Sequence, residues 1–203
     1  TTSPSTMMPG ELTASHIDSV GLPCPGAQIV AMDADGRELP RGEIGEIWIH
    51  GASVIKGYWN NPKATAESFT AGFWHSGDLG SVDAQNFVRV FDRQKDMINR
   101  GGLKIYSAEV ESVLAGHPDV IESAIIAKPC PVLGERVHAV VVTRNAVGGE
   151  VLRAWCAERL SDYKVPETMD VRSDPLPRNA NGKVMKRQLR EAGVHPEAPR
   201  VRH

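Results

Sequence analysis

Cysteine is scarce in this sequence and never paired: Cys24, Cys130 and Cys156 are odd in number, far apart, and form no C-x-x-C motif. That pattern speaks against a disulfide framework. His16, His50, His75, His117 and His138 nowhere fall at metal-ligand spacing, so no metal site is expected. Unpaired thiols suit a reducing compartment, and the expected location is the cytoplasm. Long apolar runs are missing as well. None approaches the ~18–20 residues that span a bilayer, and no signal-peptide pattern opens the chain. Charge of one sign is not in excess: 23 Lys and Arg against 25 Asp and Glu leave a net charge of −2, with the basic residues scattered. A nucleic-acid or membrane-surface partner would call for a basic stripe, and none is present. Internal repeats and low-complexity segments are also lacking.

What is present is enough for a packed core. The chain has 203 residues, 41% of them hydrophobic, which is room for one large or two small domains. Two halves differ in texture. The first reads as short strands joined by glycine-rich turns: residues 28–33, a turn at Asp35-Gly36, then residues 43–50 with Ile44, Ile47 and Ile49 near alternation. Asn61-Pro62 opens a short helix through Phe69, with Asn61 as N-cap and Pro62 at the first helical position. Residues 72–80 read as a loop and 87–91 as a further strand. Closely spaced strands of this kind suggest a small barrel or sandwich.

The second half reads as α+β. Residues 97–105 form a hairpin turning at Gly101-Gly102, and Ser107 caps a helix carrying Val110, Val113 and Leu114 at helical spacing. Residues 120–127 and 137–142 are β-rich. A second helix over 149–160 places Val151, Leu152, Trp155, Cys156 and Leu160 on one face, and residues 183–190 form a short basic helix. The expected domains are 1–92 and 93–203, with a hinge at 92–96.

Three segments carry chemistry. Trp74-His75-Ser76-Gly77-Asp78-Leu79-Gly80 holds a carboxylate between glycines. A fixed carboxylate can accept two hydroxyl hydrogen bonds from a sugar diol, although a turn Asp bonding its own backbone explains it as well. Phe91-Asp92-Arg93-Gln94-Lys95-Asp96 is a charge cluster of the kind a solvated linker shows, followed at Gly101-Gly102 by glycines that permit either a hairpin turn or close approach of a ligand. In Asn179-Ala180-Asn181-Gly182-Lys183, a long ammonium sits on a loop. It is either an ordinary loop lysine or a movable positive charge for a phosphate or carboxylate.

Taken in order, these segments resemble the adenylate-forming superfamily of acyl- and aryl-CoA synthetases, luciferases and peptide-synthetase adenylation domains. The resemblance runs through Gly21-Leu22-Pro23-Cys24-Pro25-Gly26, Gly42-Glu43-Ile44-Gly45-Glu46-Ile47, Gly57-Tyr58-Trp59-Asn60-Asn61-Pro62 and Ser76-Gly77-Asp78-Leu79-Gly80. It continues through Asp92-Arg93-Gln94-Lys95-Asp96, Ala108-Glu109-Val110-Glu111 and Asn181-Gly182-Lys183. It implies an α+β fold in which a small β-barrel-like subdomain of a larger N-terminal domain precedes a mobile C-terminal lid. It implies a ligase that makes an acyl-adenylate from ATP and a carboxylic acid, then a thioester with coenzyme A. Asp78 matches the ribose-binding aspartate and Arg93 the arginine that also reaches the ribose. Lys183 matches the lysine that holds the substrate carboxylate and α-phosphate, and Lys95 the hinge position. Gly101 and Gly102 match glycines bordering the pantetheine tunnel.

Ser76 departs from the threonine of many relatives. The phosphate loop and the Tyr-Gly-x-Thr-Glu adenine motif are missing from the sequence. The resemblance therefore implies a C-terminal piece, inactive alone, whose partner is the upstream part of its own chain, with Mg2+ held mainly by upstream residues. Lysine at position 95 and the run Asn99-Arg100-Gly101-Gly102 favour a CoA ligase over an acyl-AMP ligase or a peptide-synthetase domain. A non-catalytic docking lid is the alternative of a different class.

Overall fold

The structure, a computed structural model, describes residues 4–192. Two compact units divide at the Lys95–Asp96 bond, inside the expected hinge segment.

The first unit is built on antiparallel strands. A short pair, β1 (Thr6–Met7) and β2 (Leu22–Pro23), lies apart from a five-stranded sheet. In that sheet β3 (Ala27–Met32) pairs β4 (Gly45–Gly51), and β4 pairs the ten-residue β6 (Phe73–Val82). The far edge of β6 is shared by β5 (Phe69–Thr70) at its start and β7 (Val88–Arg93) at its end. Ile29, Ala31, Ile47, Ile49, Val82 and Val88 alternate onto one buried face, as period-two patterning requires. Helix α1 (Pro62–Ser68) starts where expected, with Asn61 Oδ1 accepting from the Ala64 amide at 3.0 Å.

The sheet stays open among the described residues, with no closed barrel. One expectation fails here. Residues 72–80 are not a loop, because β6 runs through them. Their glycines serve the strand instead. A Cβ at Gly80 would lie 2.2 Å from the Arg89 carbonyl oxygen, so only glycine lets β7 approach there.

The second unit opens with the expected hairpin, β8 (Ile98–Arg100) and β9 (Leu103–Ile105), followed by α2 (Ser107–Ala115). The long hairpin β10 (Val120–Cys130) and β11 (Gly134–Thr143) forms its centre, and α3 (Gly149–Ala157) follows. Strand β12 (Thr168–Arg172), which the sequence did not announce, lies parallel to β11, and α4 (Lys186–Ala192) ends the described chain. One face of this sheet buries Ile98, Ile105, Ile125, Val137 and Val141 against Val110, Leu114, Leu152 and Cys156. The other packs Ala124, Ile126, Val140 and Val142 against Leu176 and Leu189.

Details again differ from expectation. Ser107 is the first helical residue of α2, not its cap: Tyr106 is the N-cap and makes no capping bond with its side chain. The Ser107 hydroxyl instead accepts from Lys186 Nζ at 2.7 Å. Val151 is 56% exposed, so the buried face of α3 rests on Leu152 and Cys156. The last helix begins at Lys186, leaving Lys183 in a turn. Among the described residues no helix is long and apolar enough to cross a membrane.

His138 ties β11 to β12 through Nδ1 and Thr168 Oγ1, 2.7 Å apart. Its ring is buried, and burial pushes its pKa from 6.5 down to about 4, aided by Lys128. The unfolded chain therefore protonates first on acidification. Stability is lost as the pH falls below 6.5, and the loss levels off near 4, where the folded form protonates too. Urea unfolding at pH 7 and pH 4.5 should show wild type losing roughly 2–3 kcal/mol more than His138→Gln. Equal losses would remove His138 from the pH response.

Candidate functional site

Asp78 owes its position to a bulge. Across β4 and β6, Glu46 pairs Leu79 but Trp48 pairs His75, so Ser76, Gly77 and Asp78 crowd opposite Ile47. Extra residues in one strand bend it and re-aim a side chain. Gly77 makes this possible at φ +71°, in the left-handed region that glycine enters without steric cost. Three contacts fix the bulge. The Asp78 amide donates to Ser76 Oγ at 3.0 Å, and the Gly77 amide donates to Glu46 Oε1 at 3.1 Å. Glu46 is held in turn by Trp48 Nε1, 2.9 Å from Oε2, while the Trp48 indole stacks on His75 at 3.9 Å.

The sheet register then brings Arg93 directly opposite Asp78. Its Nη1 donates to Asp78 Oδ1 at 2.8 Å and to the Ser76 carbonyl at 3.1 Å. Both side chains are about one-third exposed, so the pair faces solvent and can meet a ligand. A carboxylate has about four lone-pair sites, enough to accept hydroxyl donors besides Arg93. Sequence reasoning named Asp78 and Arg93 but missed Glu46. The signal was inside the segment Gly45-Glu46-Ile47, but nothing local says that Glu46 reaches across to the Gly77 amide.

On the second unit, Lys183 ends a tightly bonded loop. Asn179 organises it: its Oδ1 accepts from the Asn181 and Lys183 amides at 3.1 and 2.9 Å, and its own amide donates to the Lys183 carbonyl at 3.0 Å. Arg178 bonds the Gly182 carbonyl at 2.6 Å and pairs with Glu122 on β10, which also accepts from the Leu176 amide at 2.8 Å. The Lys183 backbone is thus fixed, while its side chain is exposed and has no ion pair among the described residues. Sequence reasoning saw the lysine but neither Asn179 as organiser nor Glu122 as anchor.

Gly101 and Gly102 turn the β8–β9 hairpin with φ of +59° and +90°, the pairing a two-residue turn of this hand needs. Asn99 Oδ1 accepts from the Gly102 amide at 3.0 Å, and the Gly101 amide donates to the Leu133 carbonyl at 2.8 Å. A Cβ at Gly101 would approach Leu133 Cδ2 to 3.2 Å, whereas at Gly102 it would meet nothing within 4 Å. The segment Glu109-Val110-Glu111 is structural by contact. Glu109 pairs with Lys164 at 2.7 Å, and Glu111 takes Lys186 at 2.7 Å and the Ile125 amide at 2.8 Å.

Lys95 is the last residue of the first unit, inside a 3-10 turn over Gln94–Asp96. Asp96 is buried and bonded by Arg190 at 2.7 Å. No group of three or more His, Cys, Asp or Glu able to hold a metal occurs among the described residues.

Comparison with known proteins matches residues 1–59 to the AMP-binding enzyme family and residues 109–183 to the AMP-binding enzyme C-terminal domain. The chain belongs to the adenylate-forming enzymes. It is 42% identical over 179 residues to feruloyl-CoA synthase of Amycolatopsis sp, covering 87% of this chain and 36% of that protein. It is 40% identical to the long-chain-fatty-acid–CoA ligase of Yersinia pestis, covering 87% and 31%. The structure of Bacillus subtilis o-succinylbenzoate CoA synthetase with its acyl-adenylate intermediate superposes at a TM-score of 0.87 with 37% identity, covering 92% of this chain and 38% of that one. The chain spans about one-third of the length of the relatives it matches. The chain thus matches both the AMP-binding enzyme family and its C-terminal domain.

Proposed function

We propose that this chain is the C-terminal part of an ATP-dependent carboxylate–CoA ligase, inactive without the upstream part of its own chain. The observation that carries the reading is the Asp78–Arg93 pair on the β6 bulge: a solvent-facing carboxylate, pre-positioned by Glu46 and Ser76, that fits the two hydroxyls of a ribose. In the first step a carboxylate oxygen attacks the α-phosphorus of ATP, the bond to the β-phosphate oxygen breaks, and pyrophosphate leaves. In the second, the sulfur of coenzyme A attacks the acyl carbon, its proton is lost, and AMP leaves with the electrons of the broken C–O bond. Lys183 donates to the carboxylate and α-phosphate oxygens in the first step, where charge develops. Its fixed backbone and its side chain, which has no ion pair among the described residues, suit that task. Residues 93–203 act as a mobile lid hinged at Lys95, and Gly101 and Gly102 border the pantetheine path. In the parent, the open sheet of the first unit contributes to a barrel-like subdomain. Mg2+ takes its ligands from ATP and mainly from upstream residues of the parent.

The test uses the full-length parent with ATP, Mg2+, coenzyme A and a panel of fatty, aromatic and dicarboxylic acids. AMP and thioester should form in equal amounts; ADP as the product would overturn the reading. Asp78→Ala should raise the KM for ATP and erode discrimination against 2′-deoxy-ATP, because a site built to bond a hydroxyl rejects the analogue lacking it. Unchanged ATP kinetics in both Asp78→Ala and Arg93→Ala would take the pair out of the nucleotide site.

A further inference from the structure

The second unit contains a cavity of about 550 Å³. Its size falls in the range of small-molecule sites, roughly 300–1,000 Å³. Asp78, Arg93, Lys95 and Lys183 do not line it. Its floor is the β10–β11 face where the alternation turns from apolar to cationic. Val140 and Ile126 belong to the core, His138 comes next, and then Arg136 stands directly opposite Lys128. Like charges placed opposite one another across two strands destabilise the sheet. Arg153 on α3 adds a third cation. None of Lys128, Arg136 and Arg153 has an ion pair among the described residues.

The carboxylates at the cavity leave this charge largely uncompensated. Glu167 is bonded to Arg100 at 2.6 Å, and Asp170 is paired with Arg172. Only Glu150, on the exposed first turn of α3, stands without an ion pair among the described residues. His138 cannot add an acceptor through Nδ1, which is committed to Thr168. Arg136 Nε is buried and lacks any hydrogen-bond partner, alone in that respect among the described side chains. A buried charged donor left unpaired is costly, and native structures rarely keep one without a role for it.

We propose that this cavity is an anion site for a phosphate group, free or carried on a nucleotide, with Arg136, Lys128 and Arg153 as its ligands. Arg136 supplies a planar set of N–H donors, the geometry that suits a tetrahedral oxyanion, and Lys128 opposite it supplies a point charge. A bound dianion relieves the cross-strand repulsion. The positive field already reaches His138, whose pKa is lowered first by burial and then by Lys128 and Arg136, against Asp170.

The experiment uses the 203-residue chain at pH 7, with binding followed by calorimetry and by the NMR signal of the Arg136 Nε–H, assigned by its loss in Arg136→Gln. The probes are inorganic phosphate, pyrophosphate and 3′-phosphoadenosine 5′-diphosphate, each against sodium chloride at equal ionic strength. Saturable binding that moves the Arg136 signal supports the site, and the probe that binds most tightly tells free from nucleotide-borne phosphate. Lys128→Gln and Arg153→Gln, the second on an exposed position, should each weaken binding about tenfold or more. They keep the test decisive if Arg136→Gln fails to fold. No shift with any probe, the same shift with sodium chloride, or binding unchanged in both variants overturns the proposal.

Discussion

Lys183→Ala in the full-length parent is expected to slow adenylate formation by about a hundredfold or more, the usual effect of losing one charged donor at a developing oxyanion. Thioester formation from preformed acyl-adenylate should change little, because the departing AMP already carries its charge on an existing phosphate. The structure predicts that the substitution leaves the fold intact. The Lys183 side chain is exposed and has no ion pair among the described residues, while the backbone bonds to Asn179 survive truncation. Pyrophosphate exchange measures the first step and synthetic acyl-adenylate the second, with a melting curve as control. Equal damage to both steps would remove Lys183 from its adenylation role.

Lys95→Pro should separate the two half-reactions altogether. The residues on either side of the proposed pivot are anchored: Arg93 is locked into β7 and paired with Asp78, and Asp96 is buried and bonded by Arg190. The proposed rotation would then fall on Gln94 and Lys95. Proline fixes φ near −65° and pushes the preceding residue away from the helical region, so both torsion pairs lose freedom. One arrangement of the lid should persist, with adenylation retained and most thioester formation lost. Retention of both steps at wild-type rates would contradict a moving lid. Loss of both together with a lowered Tm would indicate misfolding, and Lys95→Gly, which frees rather than locks the backbone, should then restore both steps if hinge motion is what matters.

Much of the architecture was legible before any coordinates. Alternating Ile47 and Ile49 marked β4, Asn61-Pro62 marked the start of α1, and Gly101-Gly102 marked the hairpin turn. The charge cluster after Phe91 suggested a boundary at 92/93, and the two compact units divide at Lys95–Asp96. Each is a local signal: side-chain alternation, a cap, a pair of glycines at positive φ, a sudden end to apolar residues. The ordered set of short segments was also sufficient to place the chain among adenylate-forming enzymes.

The errors and omissions share one cause. Gly77 and Gly80 look like loop residues, yet they sit inside β6, one because the bulge needs positive φ and the other because β7 passes too close for a Cβ. Asp78 and Arg93 are fifteen residues apart, and only the β6–β7 register makes them a pair. Strand β12 has no strong pattern of its own and is ordered by lying beside β11. Nothing local singles out Arg136 and Lys128; the hairpin places them face to face and buries Arg136 Nε. By itself the sequence determined which short segments turn, cap or extend, and which chemical groups they carry, since those depend on a few neighbouring residues. Only the tertiary structure decided which groups meet, because register, bulges and burial arise from pairing between segments that are distant along the chain.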